Sequence, residues 1–493
     1  MLMLTIEIAG HNFSYEVECV TRLFFPGAKI SFIRDPEVWY QSSIWAFISK
    51  EPGGLLIHAG ANYNGSSDGE TVRCHDADMP EHERERILCA LLFEVLSRLT
   101  GKRPPWGILT GIRPVLRASN MLVKGMPEDE VVRAFEGDYL TSSEKARLAV
   151  CVAGIQKKIL ADNRQNAVSL YVGIPFCPTR CLYCSFVSHS IEKAGRLIPE
   201  YIRLLCEELR VTGRVLRECG FYLQTVYIGG GTPTCLTPPQ LGQVLSSICD
   251  NFDISRLFEY TVEAGRPDTI TPEALDVMKR HGVDRVSINP QTMDDEVLSR
   301  IGRTHTSRQT REAFSMARQA GFKCINMDLI LGLPDEPPEG FLHGLDEVIS
   351  LNPENITVHT LTVKRSSALR GTDGAFDDAD YDLGALLAVA VERIQWAGYS
   401  PYYLYRQKDT RQNLENIGFC KSGFEGRYNT YIMEESQTIF AVGAGGVTKL
   451  CLPSGRIERI FNFKYPYEYI TRHDQIISRK DEIIRRLCYE RDL

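Results

Sequence analysis

Between residues 169 and 365 the chain alternates six apolar, strand-like runs with helical patterns, and this alternation restricts the fold more than any other feature. The runs are "SLYVGIPF", "TVYIGGG", "FEYTVEA", "DRVSINPQ", "CINMDLILGL" and "NITVHTLT". Helices are predicted between and after them over 199–219, after Thr237, after Thr271, over "SRQTREAFSMARQAG" and over 337–351. Thr237 before Pro238 and Thr271 before Pro272 read as N-caps with proline in the first turn, and Gly282 reads as a stop. Such alternation implies βαβ units, right-handed crossovers and a parallel sheet. An open doubly wound sheet and a partial barrel both satisfy it. In either case chemistry belongs at the carboxyl ends of the strands.

The 493 residues are too many for one core. Residues 1–166 read as a small α+β domain. In it "LTIEIAG" and "HNFSYEVECV" are predicted strands around a turn at Gly10-His11-Asn12. A helix follows over 81–100, stopping at Gly101, then an irregular "KRPPWGILTGIRP" and more helix over 127–161. Residues 167–365 hold the alternating core. Residues 366–493 open with the helix "DLGALLAVAVERIQWAG", turn aromatic-rich, and read as a mixed C-terminal domain packed against the sheet. "AVGAGGV" lacks both the GxGxxG spacing and the βαβ setting of a dinucleotide site.

Composition is that of a globular protein, with 43% hydrophobic and 24% charged residues. The net charge of −7 argues against broad nucleic-acid binding, which leaves a basic footprint. The N-terminus has no basic n-region, and no apolar run reaches the length of a membrane span, so a cytoplasmic location is expected. Fifteen cysteines without a secretion signal are expected to be free thiols.

Only one cysteine group is tight. "CPTRCLYC" places Cys177, Cys181 and Cys184 in eight residues, directly after the first strand. Soft thiolates suit zinc, copper(I) or iron–sulfur clusters. A structural zinc needs a fourth ligand, for which His189 is near in sequence, but CxxxCxxC differs from the paired arms of zinc modules. A cubane cluster on three thiolates leaves one iron open to a small molecule. Pro175 and Pro178 favour a shaped loop over a helical core face, the third alternative.

"YVGIPFCPTRCLYC" resembles the signature of the radical S-adenosylmethionine enzymes, and in particular the oxygen-independent coproporphyrinogen III dehydrogenase-like family, with the HemZ type similar over the full length. The resemblance implies a partial (β/α)6 barrel. It implies a [4Fe–4S] cluster on Cys177, Cys181 and Cys184, and one or two molecules of S-adenosylmethionine, cleaved by one electron to methionine and a 5′-deoxyadenosyl radical. A low-potential donor of flavodoxin or ferredoxin type is the implied partner. By the same resemblance Tyr171 contacts cofactor and Tyr183 shields the cluster. Gly229, Gly230 and Gly231 approach the methionine moiety, and Thr232 is the adjacent hydroxyl. Glu263, Gln291, Arg303 and Asp328 match further cofactor-binding positions.

The reaction implied is oxidative decarboxylation of coproporphyrinogen III to protoporphyrinogen IX, in porphyrin biosynthesis. A cluster-bearing haem carrier and a radical enzyme for another tetrapyrrole, as in anaerobic haem degradation, are the alternatives. Three positions depart from relatives: Ser185-Phe186 where the dehydrogenase has a further cysteine, Gly173 in place of a common histidine, and Tyr428 where haem-handling proteins often carry histidine. An anionic substrate calls for cations, for which Arg103, Arg113, Arg406 and Arg411 are candidates.

Overall fold

The computed structural model describes residues 2–33, 43–111, 113–184, 189–362, 381–407 and 410–491; Ser185 and Phe186 lie outside them. Contacts group the chain into two compact units. The first comprises Met1–Ala153 with Arg406–Asn413, the second Gly154–Tyr405 with Leu414–Leu493.

The first unit is built on a five-stranded sheet. Its order is Lys29–Ile33, Met3–Ala9, Ile44–Glu51, Gly54–Tyr63, Ser66–Cys74. Met3–Ala9 runs parallel to both neighbours and the last three strands form antiparallel hairpins. The predicted second strand is instead the helix Ser14–Phe24. Its buried residues Val17, Val20, Thr21 and Phe24 recur at three- and four-residue steps, so one helical stripe faces the core. The helix Glu81–Thr100 ends as predicted, on Gly101 in the left-handed region (φ 69°). Leu88, Leu92, Phe93 and Leu96 from it share that core with Ile6, Ile8, Ile57 and Val17. Pro114–Val123 is a helix that the sequence pattern does not announce.

The second unit contains the six predicted strands: Ala167–Ile174, Tyr222–Gly230, Glu259–Gly265, Arg285–Ile288, Cys324–Leu331 and Asn355–Thr360. They are parallel and adjacent in chain order. A doubly wound sheet would reverse its order at a switch point. Consecutive order with right-handed crossovers sends every helix to one side, so the sheet is the wall of a partial (β/α)6 barrel. Thr237 caps its helix with a full capping box with Gln240, and Thr271 caps the next; such a cap contributes about 1 kcal/mol.

The strands alternate apolar and polar side chains. Leu170, Val172, Val226, Ile228, Val262, Val286, Ile288, Met327 and Val358 are buried on one face. The opposite face is polar and cross-linked strand to strand. Ser169 bonds Thr225 (2.6 Å), Asn326 donates to Ser287 (3.4 Å) and Thr357 to Asn326 (3.2 Å).

The C-terminal region joins the sheet at its edges and also lays its helix Arg427–Glu434 against the strand Tyr222–Gly230. Ser400–Arg406 and Glu415–Cys420 extend it beyond the sixth strand. Ile439–Val442, parallel to the first strand, leads Val447–Cys451 and Ile457–Phe461 onto the other edge. Unpaired edge groups of parallel strands are satisfied this way. Glu208, fully buried on the helix Ile198–Glu218, ties this edge down. It accepts from the Gly443 N–H (2.8 Å), the Tyr469 hydroxyl (2.7 Å), the Asn462 amide (2.8 Å) and Lys480 Nζ (2.8 Å). Among the described residues no helix is long and apolar enough to cross a membrane.

Candidate functional site

The six strands and the loops after them carry the residues that the resemblance assigns to cluster and cofactor, whereas the four candidate arginines lie in the first unit. The first strand carries Tyr171 opposite Tyr227 of the second. Tyr428 stacks on Tyr227 at 4.5 Å between ring centroids, and Tyr171 lies 6.4 Å from Tyr227 and 6.5 Å from Tyr428. Three nearly parallel rings thus cluster on the polar face. The Tyr227 hydroxyl donates to the Glu263 carboxylate.

Glu263 is the electrostatic centre of this rim. Burial, and secondarily the Asp328 charge, push its carboxyl from the ordinary 4.5 up to about 7, although Tyr227, the Gly230 N–H and His359 oppose the shift. Asp328 goes the other way. Burial would raise it, but His359, Asn326 and Thr357 together hold it below the ordinary carboxylate value. Asn326 donates to it at 2.8 Å and His359 Nε2 lies 3.8 Å away. One carboxyl near neutrality therefore faces one firmly ionised, an arrangement suited to gripping a cationic group.

The glycines serve a tighter purpose than open access. A Cβ on Gly229 would stand 2.7 Å from the Glu263 carboxylate, and one on Gly231 only 2.4 Å from the Phe176 carbonyl. Gly230 has φ 108°. These absences let the second strand press against the cysteine loop, where Gly231 N–H bonds Ile174 O and Thr232 N–H bonds Phe176 O, both at 2.7 Å. The Thr232 hydroxyl donates to Cys177 Sγ at 3.5 Å.

The cysteine loop itself is shaped and partly accessible. Cys177, Cys181 and Cys184 are of intermediate exposure. Cys184 N–H turns back on Cys181 O (3.2 Å), and Leu182 N–H bonds Ile301 O (3.0 Å). Tyr183 packs against the apolar cluster of Val297, Leu298, Ile301, Ile330, Leu333 and Leu361. Among the described residues, no three His, Cys, Asp or Glu side chains converge on one metal-ion position, as a mononuclear zinc site would require. His189 pairs instead with Phe176 by strand bridging and meets the Tyr465 ring. Three cysteines on one loop, with a hydroxyl donor at Cys177 and guanidinium donors at Cys181, fit the thiolate ligands of a polynuclear cluster.

After the fourth strand the chain makes a polar elbow. Gln291 sits in the left-handed region (φ 71°), held because its N–H bonds Asp328 O (2.9 Å) and its carbonyl accepts from Ile330 (2.8 Å). Arg303 Nη1 donates to Asn289 O at 2.6 Å, and its guanidinium stands beside Tyr183 and Cys181. Gln291 Oε1, Asn289 Oδ1 and Arg303 Nε are buried without a protein partner. Each such atom costs about 1–3 kcal/mol unless something polar meets it, which fits a ligand-binding elbow.

Sequence patterns missed Arg266, Tyr227 and His359. Arg266 follows the third strand and donates to both Thr179 and Cys181 of the cysteine loop. Tyr227 and His359 lie on the polar side of strands whose apolar side dominates the hydropathy; their period-two spacing was the available signal. The candidate substrate cations all belong to the first unit. Arg103 is held by Glu94 through two bonds of 2.8 and 3.0 Å, and buried Arg406 donates to the carbonyls of Leu109 and Asn413.

Comparison with known proteins shows the family of the chain. The profile of the Radical SAM superfamily matches residues 171–345. The chain is 38% identical over 419 residues to the oxygen-independent coproporphyrinogen-III oxidase-like protein HemZ of Bacillus subtilis, covering 83% of this chain and 84% of that one. It is 31% identical over 283 residues to the heme chaperone HemW of the same bacterium, covering 56% of this chain and 70% of that one. The solved structure of coproporphyrinogen III oxidase (HemN) from Escherichia coli superposes with a TM-score of 0.52 at 21% identity, covering 66% of this chain and 72% of that one, and shares the fold. The chain belongs to the radical S-adenosylmethionine superfamily, in the coproporphyrinogen dehydrogenase-like family that includes the HemZ type. Membership implies a [4Fe–4S] cluster and S-adenosylmethionine as cofactors.

Proposed function

We propose that this protein is a radical enzyme acting on a tetrapyrrole, decarboxylating two propionates of coproporphyrinogen III to the vinyls of protoporphyrinogen IX without oxygen. The observation that carries the reading is the match to the HemZ-named relative across 83% of the chain, both units included. Cys177, Cys181 and Cys184 would hold the cluster, with Thr232, Arg266 and Arg303 donating around their sulfurs. Cluster and S-adenosylmethionine, when bound, supply hydrogen-abstracting radical chemistry. Glu263 is assigned to the cofactor's amino group; Tyr171, Asp328, Gln291 and Arg303 complete the cofactor rim, and Tyr183 screens the cysteine loop from water. Binding of a second cofactor molecule there is a corollary. A flavodoxin- or ferredoxin-type donor, a cytoplasmic location and the division into 1–166, 167–365 and 366–493 belong to the same proposal.

The test is product analysis. Reconstituted, reduced protein with S-adenosylmethionine and coproporphyrinogen III is expected to yield vinyl porphyrin by chromatography and mass spectrometry. Cofactor cleavage without vinyl product would assign another substrate. The similarity to the heme chaperone supports a second reading, a haem carrier, for which stoichiometric haem binding without turnover is the signature. Tyr428 speaks against that reading, since its ring is 4% exposed and committed to the stack with Tyr227. Replacing any one of the three cysteines by Ala is expected to reduce bound iron to background in colorimetric assay.

A further inference from the structure

Arg266 leaves the third strand just after Gly265, and its side chain is 3% exposed. All five of its N–H donors are used. Nε and Nη2 grip the two oxygens of Asp268 at 3.1 and 3.0 Å. Nη2 also donates to the Thr304 hydroxyl at 2.8 Å, which in turn donates to Asp268 at 2.8 Å. Nη1 donates to the Thr179 hydroxyl at 3.0 Å and to Cys181 Sγ at 3.9 Å. Thr179 passes a bond on to Gly302 O at 3.0 Å. One guanidinium therefore joins three segments (179–181, 266–268 and 302–304) and ends on a sulfur.

We propose that Arg266 is a positioning residue that sets the reduction potential of the metal cluster on Cys181, with Asp268 as its counterweight. The inference rests on the proposed ligand role of Cys181. Reduction adds a negative charge to a cluster, and a cationic donor on a ligand sulfur stabilises that added charge, which raises the potential. The Asp268 carboxylate, bidentate on the same guanidinium, offsets part of the effect. Removing the cation and removing the anion must then move the potential in opposite directions. A clamp that only holds the loop would produce no such opposition. Lysine cannot replace the fork, because a point ammonium has three donors and no planar geometry.

The experiment is a redox titration of anaerobically reconstituted full-length protein, read by electron paramagnetic resonance of the reduced cluster without S-adenosylmethionine, with iron and sulfide counted per chain. Arg266→Met is expected to shift the midpoint to more negative values, Arg266→Lys to an intermediate one, and Asp268→Asn to more positive values, at unchanged iron content. Midpoints equal to the parent, or shifts of the same sign in Arg266→Met and Asp268→Asn, would overturn the proposal. If Arg266→Met takes up no iron, Asp268→Asn decides: a positive shift supports the proposal and any other result overturns it. Loss of iron in both variants overturns it too, since loop-holding then accounts for everything. A parent protein that takes up no iron would refute the cluster reading itself, and is distinguishable from these outcomes.

Discussion

Glu263 concentrates the chemistry of a whole rim in one proton. Its carboxyl titrates at about 7, whereas in the unfolded chain it would titrate near 4.5. Between those values the folded protein holds a proton the unfolded chain has released, so this group's contribution to stability is present below about 4.5 and is lost as pH rises through 7. Binding of a cationic amine has the opposite sign, because only the ionised carboxylate grips it fully. Calorimetric titration of reconstituted protein is expected to show S-adenosylmethionine affinity rising as pH rises from 6 to 8. Glu263→Gln is expected to flatten that dependence and to weaken binding at pH 8 by roughly 10-fold or more, the worth of a charge-assisted hydrogen bond. Much of this rim was legible in the sequence, because Glu263 and Gln291 stand at or just after strand ends and Asp328 stands inside a strand. The upward shift of Glu263 was not, since burial drives it first, the Tyr227 bond opposes it and the Asp328 charge adds to it, all set by other strands. Arg266 was invisible for a similar reason: an arginine in a loop looks solvated until its burial is known.

At the scale of elements, the six strands were readable because each carries one apolar face over enough residues to show it. The helix Ser14–Phe24 was misread because "SYEVEC" satisfies both periods in a short window, and only Val20, Thr21 and Phe24 beyond it break the tie. The edge strands were hidden for another reason. Ile439–Val442 has four residues and pairs with Ala167–Ile174 from far upstream, a contact no local pattern encodes. What holds that edge is the buried Glu208–Lys480 pair, whose side chains are 0% and 2% exposed. Lys480→Met leaves Glu208 without its cation and is expected to cost about 3–5 kcal/mol in urea denaturation. Adding Glu208→Gln to it is expected to recover part of that loss, since a neutral amide is cheaper to bury than an unpaired carboxylate.

At the scale of the molecule, two compact units with separate cores predict two unfolding events. Trp45 and Trp106 are buried in the first unit, while the cysteine loop lies in the second. Tryptophan fluorescence and cluster absorbance, followed through one urea titration, are expected to report non-coincident midpoints; superimposable curves would refute independent units. The first unit is also discontinuous. Its final piece, Arg406–Asn413, arrives after the six barrel strands, and buried Arg406 closes it on the Leu109 carbonyl. Synthesis runs from the N-terminus, so the ribosome delivers the opening 153 residues long before the segment that finishes their structure. That unit is thus completed late, only once the segment after the barrel strands has been made.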